Sequence, residues 1–127
     1  MPTLSSYDYA IVRVVPQVER GESINVGVVL FCRPLRFLGA RIEPSSERIV
    51  ALAPNLDAGS VRDQLDLIPR ICGGGEDAGP IGQLDQAERF HWLVAPRSTT
   101  VQISSVHCGL CTDPQSALDS LFERLVG

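Results

Sequence analysis

The sequence predicts an α+β fold: an antiparallel sheet that begins with a three-strand meander, with helices packed mainly on one face. Three observations predict it. Three segments with strand character come first, segments with helical periodicity follow, and then a strand and a helix recur. Short connections between the first three strands favour antiparallel pairing. At 127 residues the chain has the size of one domain, and we expect residues 1–127 to form it.

The meander is expected from three segments near the N-terminus. Tyr7–Val15 is rich in β-branched and aromatic residues and is stopped by Pro16. Ile24–Cys32 is almost continuously apolar, which is typical of a central strand covered on both faces. Phe37–Ile42 is expected to form the third strand, ended by Pro44.

The sequence then changes to a helical period. Ser46–Leu52 predicts a short helix. A second helix begins near Asp57 or Ser60, since either residue can cap it, and it ends at Pro69 and Gly73–Gly75. The apolar face of this second helix consists of Val61, Leu65 and Ile68.

The C-terminal part contains one ambiguous segment, Gln83–Ala95. Its apolar residues suit a helix, although Phe90, Trp92 and Val94 alternate as a strand would; the helix is favoured and the strand stays open. Thr99–His107 alternates as a strand. A terminal helix follows, in which Asp113-Pro114 supplies a cap and a first-turn proline. Its apolar stripe consists of Leu118, Leu121, Phe122 and Leu125.

Composition excludes several classes of function. All 11 basic residues are arginine, so Schiff-base chemistry, a lysine general base and a phosphate-binding P-loop lysine are excluded. The net charge is −4 and the acidic excess lies in the C-terminal half, so nucleic-acid binding is not expected. No apolar run is long enough to span a membrane. The N-terminus lacks a basic signal region, so we expect a cytoplasmic location with reduced cysteines.

The main candidate binding residue is Arg13, a charge within an apolar strand. Arg20, Glu22 and Asn25 follow, and in an antiparallel hairpin they can converge on Arg13 near one end of the sheet. Such a cluster suits a small anion or the carboxylate of a partner. Alternatively, Arg13 pairs with Glu22 or Glu43 across the sheet and serves only the fold. The sequence leaves both interpretations open.

Two further segments carry candidate features. Gly27 interrupts the second strand and indicates either a β-bulge or a close approach of another backbone. The segment 96–100 is rich in hydroxyl groups and includes Arg97 and Ser98, a combination that can hold a phosphate. The same hydroxyl groups can equally satisfy the backbone of a polar connector.

The sequence His107-Cys108-Gly109-Leu110-Cys111 contains a C-x-x-C pair. A thioredoxin-like centre would place this pair at a helix N-terminus, yet here the helix cap, Asp113, comes after the second cysteine. A zinc site would need ligands recruited from distant segments, since there is no second pair. The ligands that a zinc site would have to recruit are Cys32, Cys72 and His91. We therefore expect no metal and no cofactor.

Four segments together resemble a bacterial family, the domain of unknown function 3037 (DUF3037). They are Tyr7–Pro16, Glu19–Phe31, Ala95–Ser98 and Val106–Leu110, and Arg20–Val28 is the most specific part. The resemblance implies a small bacterial protein without an assigned activity. It also implies a gene neighbourhood with kinase-like proteins of the HipA type, which favours a role as an accessory or partner of another protein.

The family motif falls on specific positions of this chain. They are Arg13, Arg20, Gly21, Glu22, Asn25, Gly27, Pro96, Arg97, Ser98 and His107. Ser23 stands where the family tends to have an aromatic residue, which changes the expected packing of the hairpin. Cys108 and Cys111 stand where threonine-like residues are expected, which weakens a redox interpretation.

These observations favour a non-catalytic binding or accessory module that contacts a protein partner or a small anion through the cluster around Arg13. One alternative is an enzyme acting on a phosphorylated or nucleic-acid substrate. Arg13 and Arg97 would then hold the anion, and Glu22 or His107 would exchange protons. The other alternative is a thiol redox or zinc site at the C-x-x-C pair.

Overall fold

The computed structural model describes residues 3–15, 23–43, 58–95 and 101–126. The predicted helix at Ser46–Leu52 lies outside these ranges. So does most of the connection between the first two predicted strands.

The described residues form one antiparallel sheet. Its strands are β1 (Ser5–Val14), β2 (Ile24–Cys32), β3 (Phe37–Ile42), β4 (Val101–Ile103) and β5 (His107–Cys111). β2 pairs with β1 on one side and with β3 on the other, which confirms the meander and the central position of β2. β4 and β5 both pair with the remaining edge of β1.

The helices begin and end close to the predicted positions, with one exception. They are α1 (Ala58–Gly73), α2 (Gln86–Val94) and α3 (Pro114–Leu125), and a 3-10 segment, Glu76–Gln83, precedes α2. The ambiguous segment is therefore helical. The terminal helix begins as predicted, since the Asp113 carboxylate accepts a hydrogen bond from the backbone N–H of Gln115.

The exception is Pro69, which was expected to end α1 but lies within it. Interior proline costs a helix about 3 kcal/mol. Here the next turn carries Ile71 and Cys72, which are buried in the core, and their burial outweighs that cost. The helix ends at Gly73. The next residue, Gly74, has a positive φ of 72°, and its N–H donates to the carbonyl of Arg70 at 3.0 Å.

Two hydrophobic clusters cover the two faces of the sheet. α1 and α2 pack on the face that carries Val12, Val14 and Val29. α3 packs on the other face, against Val28 and Leu30. The predicted α+β class is confirmed: α1 and α2 share a face, and α3 adds a layer on the opposite side. No helix in the described ranges is long and apolar enough to cross a membrane.

The strand predicted at Thr99–His107 is two strands with an interruption between them. Ser104 lies in the interruption, where its N–H donates to the Ile11 carbonyl at 2.9 Å. Its side-chain Oγ accepts from the Ile11 N–H at 2.8 Å, in place of a backbone carbonyl. Pairing resumes one residue out of step, so that Cys108 and Cys111 belong to β5 and not to a loop before α3.

Candidate functional site

A β-bulge lies between β1 and β2 at the position marked by Gly27. Val12 pairs with Gly27 but Arg13 pairs with Asn25, so Val26 is an extra residue without an opposite partner. The extra residue reverses the alternation of side chains along β2. As a result Asn25 lies on the α3 face beside Arg13 instead of facing α1 and α2.

Gly27 is required by the close approach of β3. A Cβ atom at this position would lie 2.5 Å from Ile42 Cδ1 and 2.8 Å from the carbonyl oxygen of Arg41. Both features that Gly27 suggested, a bulge and a close backbone approach, are therefore present at one residue.

Arg13 and Asn25 form a chain of hydrogen bonds that reaches α3. Arg13 Nε donates to Asn25 Oδ1 at 3.2 Å, and Asn25 Nδ2 donates to the carbonyl of Leu125 at 3.1 Å. The Leu125 carbonyl belongs to the last turn of α3, where backbone acceptors lack partners within the helix. Asn25 thus links the end of α3 to the sheet and fixes one edge of the Arg13 guanidinium.

Gln102 completes a polar row across three strands. It is paired with Arg13 on β4, and paired residues of antiparallel strands share a face. We call Asn25, Arg13 and Gln102 the Arg13 row. Arg13 is half-buried, and its bond to Asn25 uses one of the five N–H donors of the guanidinium. The other four donors form a fork that matches a carboxylate or a phosphate.

The remaining predicted binding residues fall into two groups. Those outside the described ranges are Arg20, Glu22, Arg97 and Ser98. They belong to the segments 16–22 and 96–100. The described residues next to these segments lie at the sheet end that carries the Arg13 row, because Val14 pairs with both Ile24 and Val101.

His107 is placed away from the Arg13 row. It pairs with Tyr9, and the two rings lie 5.4 Å apart. Tyr9 and Arg13 are four residues apart on β1, which corresponds to about 13 Å along an extended strand. His107 is exposed at the other half of the sheet edge, so it does not join Arg13 around one small anion.

The C-x-x-C pair does not form a dithiol centre. Cys108 is exposed and Cys111 is buried, as expected from their opposite directions on β5. Three residues of extended strand separate their Cα atoms by about 10 Å, which is beyond the span of a disulfide. Among the described residues, no group of three His, Cys, Asp or Glu side chains is placed to hold a metal ion.

Cys111 instead contacts Cys32, a neighbour that the sequence did not indicate. Burial raises the pKa of the Cys111 thiol, and the nearby Cys32 adds to the increase. Cys32 is fully buried, and its Sγ contacts the carbonyl of Ser6 at 3.5 Å. The raised pKa keeps the Cys111 thiol protonated at neutral pH, and a protonated thiol is a poor nucleophile.

Arg89 is a buried cation that sequence analysis missed. Its Nη1 donates to the carbonyls of Ile71 and Cys72, both at 2.9 Å, and so caps the C-terminus of α1. Burial also raises the pKa of the Cys72 thiol to about 12, although Arg89 opposes the increase. The sequence around Arg89 gave no signal for this role, because the need for the cap arises from tertiary packing.

A groove of about 480 Å³ separates α3 from the β1–β5 edge. Tyr7, Ser120 and Arg124 are among its lining residues. Burial raises the pKa of Tyr7, Tyr9 adds to the increase, and Arg124 opposes it. The Tyr7 hydroxyl therefore stays protonated at neutral pH.

Comparison with known proteins confirms the family resemblance set out above. That family's model matches residues 9–126, which includes every strand and helix described here except the first residues of β1. No curated protein and no solved structure matches the chain.

Proposed function

We propose that this chain, which belongs to the family described as Protein of unknown function (DUF3037), acts as a non-catalytic binding module. In this proposal the Arg13 row receives a carboxylate or phosphate group of its ligand. The bulge at Val26 is the observation that carries the proposal, since it turns Asn25 toward Arg13. Bulges that re-aim a side chain are common beside functional sites.

The state of Arg13 supports the same proposal. Its observed partner, the Asn25 amide, orients the guanidinium through Nε without neutralising its charge. An arginine held only for the fold would be expected to bond a carboxylate. Among the described residues no carboxylate pairs with Arg13. A guanidinium positioned in this way favours recognition of an anion from outside the fold.

The natural form of such a ligand is an acidic group on a protein partner. The HipA-like kinase neighbourhood implied by the family resemblance makes a kinase-like protein the first partner to consider. The interaction would take place in the cytoplasm. Arg20, Glu22, Arg97 and Ser98 would extend the contact, since they flank the same end of the sheet in sequence.

An enzymatic function has less support. It would need an acid–base group close to the bound anion. His107 pairs with Tyr9, which lies about 13 Å along β1 from Arg13, and the other candidate, Glu22, lies outside the described ranges. A thiol or zinc function also has less support, because Cys108 and Cys111 point to opposite faces of the sheet.

Substitution of Arg13 tests the proposal. Arg13→Met keeps most of the side-chain volume and removes the charge and the Nε donor. We expect about 1 kcal/mol of lost stability, the worth of one hydrogen bond. We expect complete loss of anion binding. Inorganic phosphate and acetate are titrated into ¹⁵N-labelled protein while the Arg13 Nε–H and Asn25 side-chain amide signals are followed.

Arg33→Met is the matched control, because Arg33 is exposed in the β2–β3 turn at the other end of the sheet. It removes the same charge and should leave the titration unchanged. Two results would oppose the proposal. One is wild-type protein whose Arg13 and Asn25 signals do not respond to either anion. The other is a loss of 3–5 kcal/mol in Arg13→Met, which is typical of breaking a buried ion pair.

A further inference from the structure

The outer edge of β5 is open to solvent. Within the described ranges β5 pairs with β1 and with no other strand. Large apolar side chains are exposed along this edge: Leu110 is 64% exposed, Leu4 59% and Val106 45%. Leu4 directly precedes β1, whose first residue, Ser5, pairs with Cys111.

The direction of each backbone group on β5 follows from Ile11. Ile11 directs both its N–H and its carbonyl toward Ser104, on the β4–β5 side of β1. Residues two apart on a strand point their backbone groups to the same side, so Tyr9 and Tyr7 also face β5. Their partners His107 and Gly109 then bond β1. The backbone groups of Cys108 and Leu110 point outward, away from the sheet.

In the part of the chain that the structure describes, this edge lacks the features that usually prevent strand pairing. Natural edge strands are protected by lysine, proline, inward-pointing charges or a covering segment. The β5 sequence His-Cys-Gly-Leu-Cys contains no proline, lysine, arginine, aspartate or glutamate. An exposed strand with outward donors, outward acceptors and apolar side chains is a template for another strand.

We propose that β5 pairs antiparallel with β5 of a second copy of this chain. The outward residues, Cys108 and Leu110, are placed symmetrically about Gly109. A twofold axis at Gly109 therefore sets Cys108 of each copy opposite Leu110 of the other, and each outward N–H and carbonyl finds a partner. Self-complementary contacts of this kind are the rule in twofold dimers.

Side chains and charge agree with a second copy as the occupant. Gly109 lies opposite its own copy at the axis, and within each chain the Tyr7 ring occupies the space that a side chain there would fill. The paired β5 strands carry no acidic or basic residue other than histidine, so no carboxylate or guanidinium is set opposite its own copy. The exposed leucines and valine beside β5 lose water as the edge is covered.

The oligomeric state of the purified protein tests this proposal. We expect light scattering to give twice the chain mass at high concentration, with a shift toward the monomer on dilution. Leu110→Pro removes an outward N–H without removing a bond to β1, and proline is tolerated at such edge positions. We expect Leu110→Pro to be a monomer with an unchanged β1–β5 amide pattern in NMR spectra. Leu35→Ala, which removes a leucine exposed in the β2–β3 turn, is the control and should remain a dimer.

Cross-linking provides a second readout that does not depend on any folding defect. Cys108 is the exposed cysteine of the four. In the proposed dimer the two Cys108 residues are diagonal neighbours, with Cα atoms about 8 Å apart. A short bismaleimide should join two wild-type chains and leave Cys108→Ser unjoined. A wild-type protein that is monomeric at all concentrations overturns the proposal, as does a dimer that Leu110→Pro leaves intact.

Discussion

Arg36 shows how one residue stores backbone strain in this fold. It ends the turn between β2 and β3, where its N–H bonds the Arg33 carbonyl at 3.1 Å. Its φ of 51° lies in the left-handed region, which costs a residue with a side chain about 1–2 kcal/mol. The conformation aims the Arg36 carbonyl at Gln86, whose Nε2 donates to it at 2.8 Å and connects the turn to α2.

Replacing Arg36 by glycine should therefore stabilise the protein. Glycine adopts positive φ without strain, and the carbonyl that Gln86 contacts belongs to the backbone and is kept. We expect Arg36→Gly to raise the free energy of unfolding by about 0.5–1 kcal/mol in urea titrations, after the entropic cost of glycine. Arg33→Gly, in the same turn but without positive φ, should not stabilise. Equal destabilisation of both variants would contradict the presence of backbone strain at Arg36.

At the scale of elements, the bulge in β2 shifts the alternation of its side chains by one residue. Ile24 and Val26 face α1 and α2 before the bulge, and Val29 and Phe31 do so after it. A regular strand would not place both pairs on one face.

Gly27→Ala should disturb this arrangement. The new methyl group meets Ile42 and the Arg41 backbone, and overpacking of this kind costs about 1–3 kcal/mol. We also expect the Asn25 amide signals to shift, because the bulge positions Asn25. Gly73→Ala is the matched control, since a Cβ atom there has no neighbour within 4 Å. If Gly27→Ala is as stable as Gly73→Ala, then β3 can move aside for the methyl group and the close approach does not require glycine.

The sequence predicts β2 and β3 to the residue because apolar runs bounded by turn residues mark them. It does not predict β5, whose exposed residues and central glycine leave no apolar alternation. Pro69 misleads for a related reason, since local propensity ignores the burial of the turn that follows. Gly27 indicates an irregularity in β2. Only the pairing of β2 with β1 and β3 shows that a bulge and a close approach of β3 are both present.

The whole molecule depends on one sheet that separates two cores. Val28 is completely buried at the centre of β2 and belongs to the α3 side. Val28→Asp would bury a carboxylate without a partner, at a cost of about 3–5 kcal/mol. This is a large part of the 5–15 kcal/mol that stabilises an ordinary domain. We expect a strongly lowered thermal midpoint or an unfolded protein by circular dichroism.

Val106→Asp is the control for Val28→Asp, because Val106 is 45% exposed and its carboxylate would stay in water. Its effect on the thermal midpoint should be small. A cooperatively melting Val28→Asp protein with the wild-type midpoint would contradict the assignment of β2 as the central strand.

The candidate site was predictable only in part, because some of its residues are brought together by local structure and others by long-range strand pairing. Arg13 and Asn25 are close in sequence, so a hairpin brings them together whatever the rest of the chain does. His107 reaches the sheet from the far end of the chain, and its position depends on the irregular register after Ser104. Long-range register is not encoded in local pattern, so the sequence can bring Asn25 to Arg13 but cannot give the distance of His107 from them.

The pairing of β1 with both chain halves has a consequence for the order in which the protein is made. Ile11 and Ser104 are 93 residues apart, and Asn25 and Leu125 are 100 apart. During synthesis the meander leaves the ribosome first, while one edge of β1 and the apolar face around Val28 have no cover. Both are covered only when the segment from β4 through α3 has emerged. The nascent chain therefore passes through a stage that exposes an unpaired sheet edge and an uncovered apolar face, features that favour aggregation during synthesis.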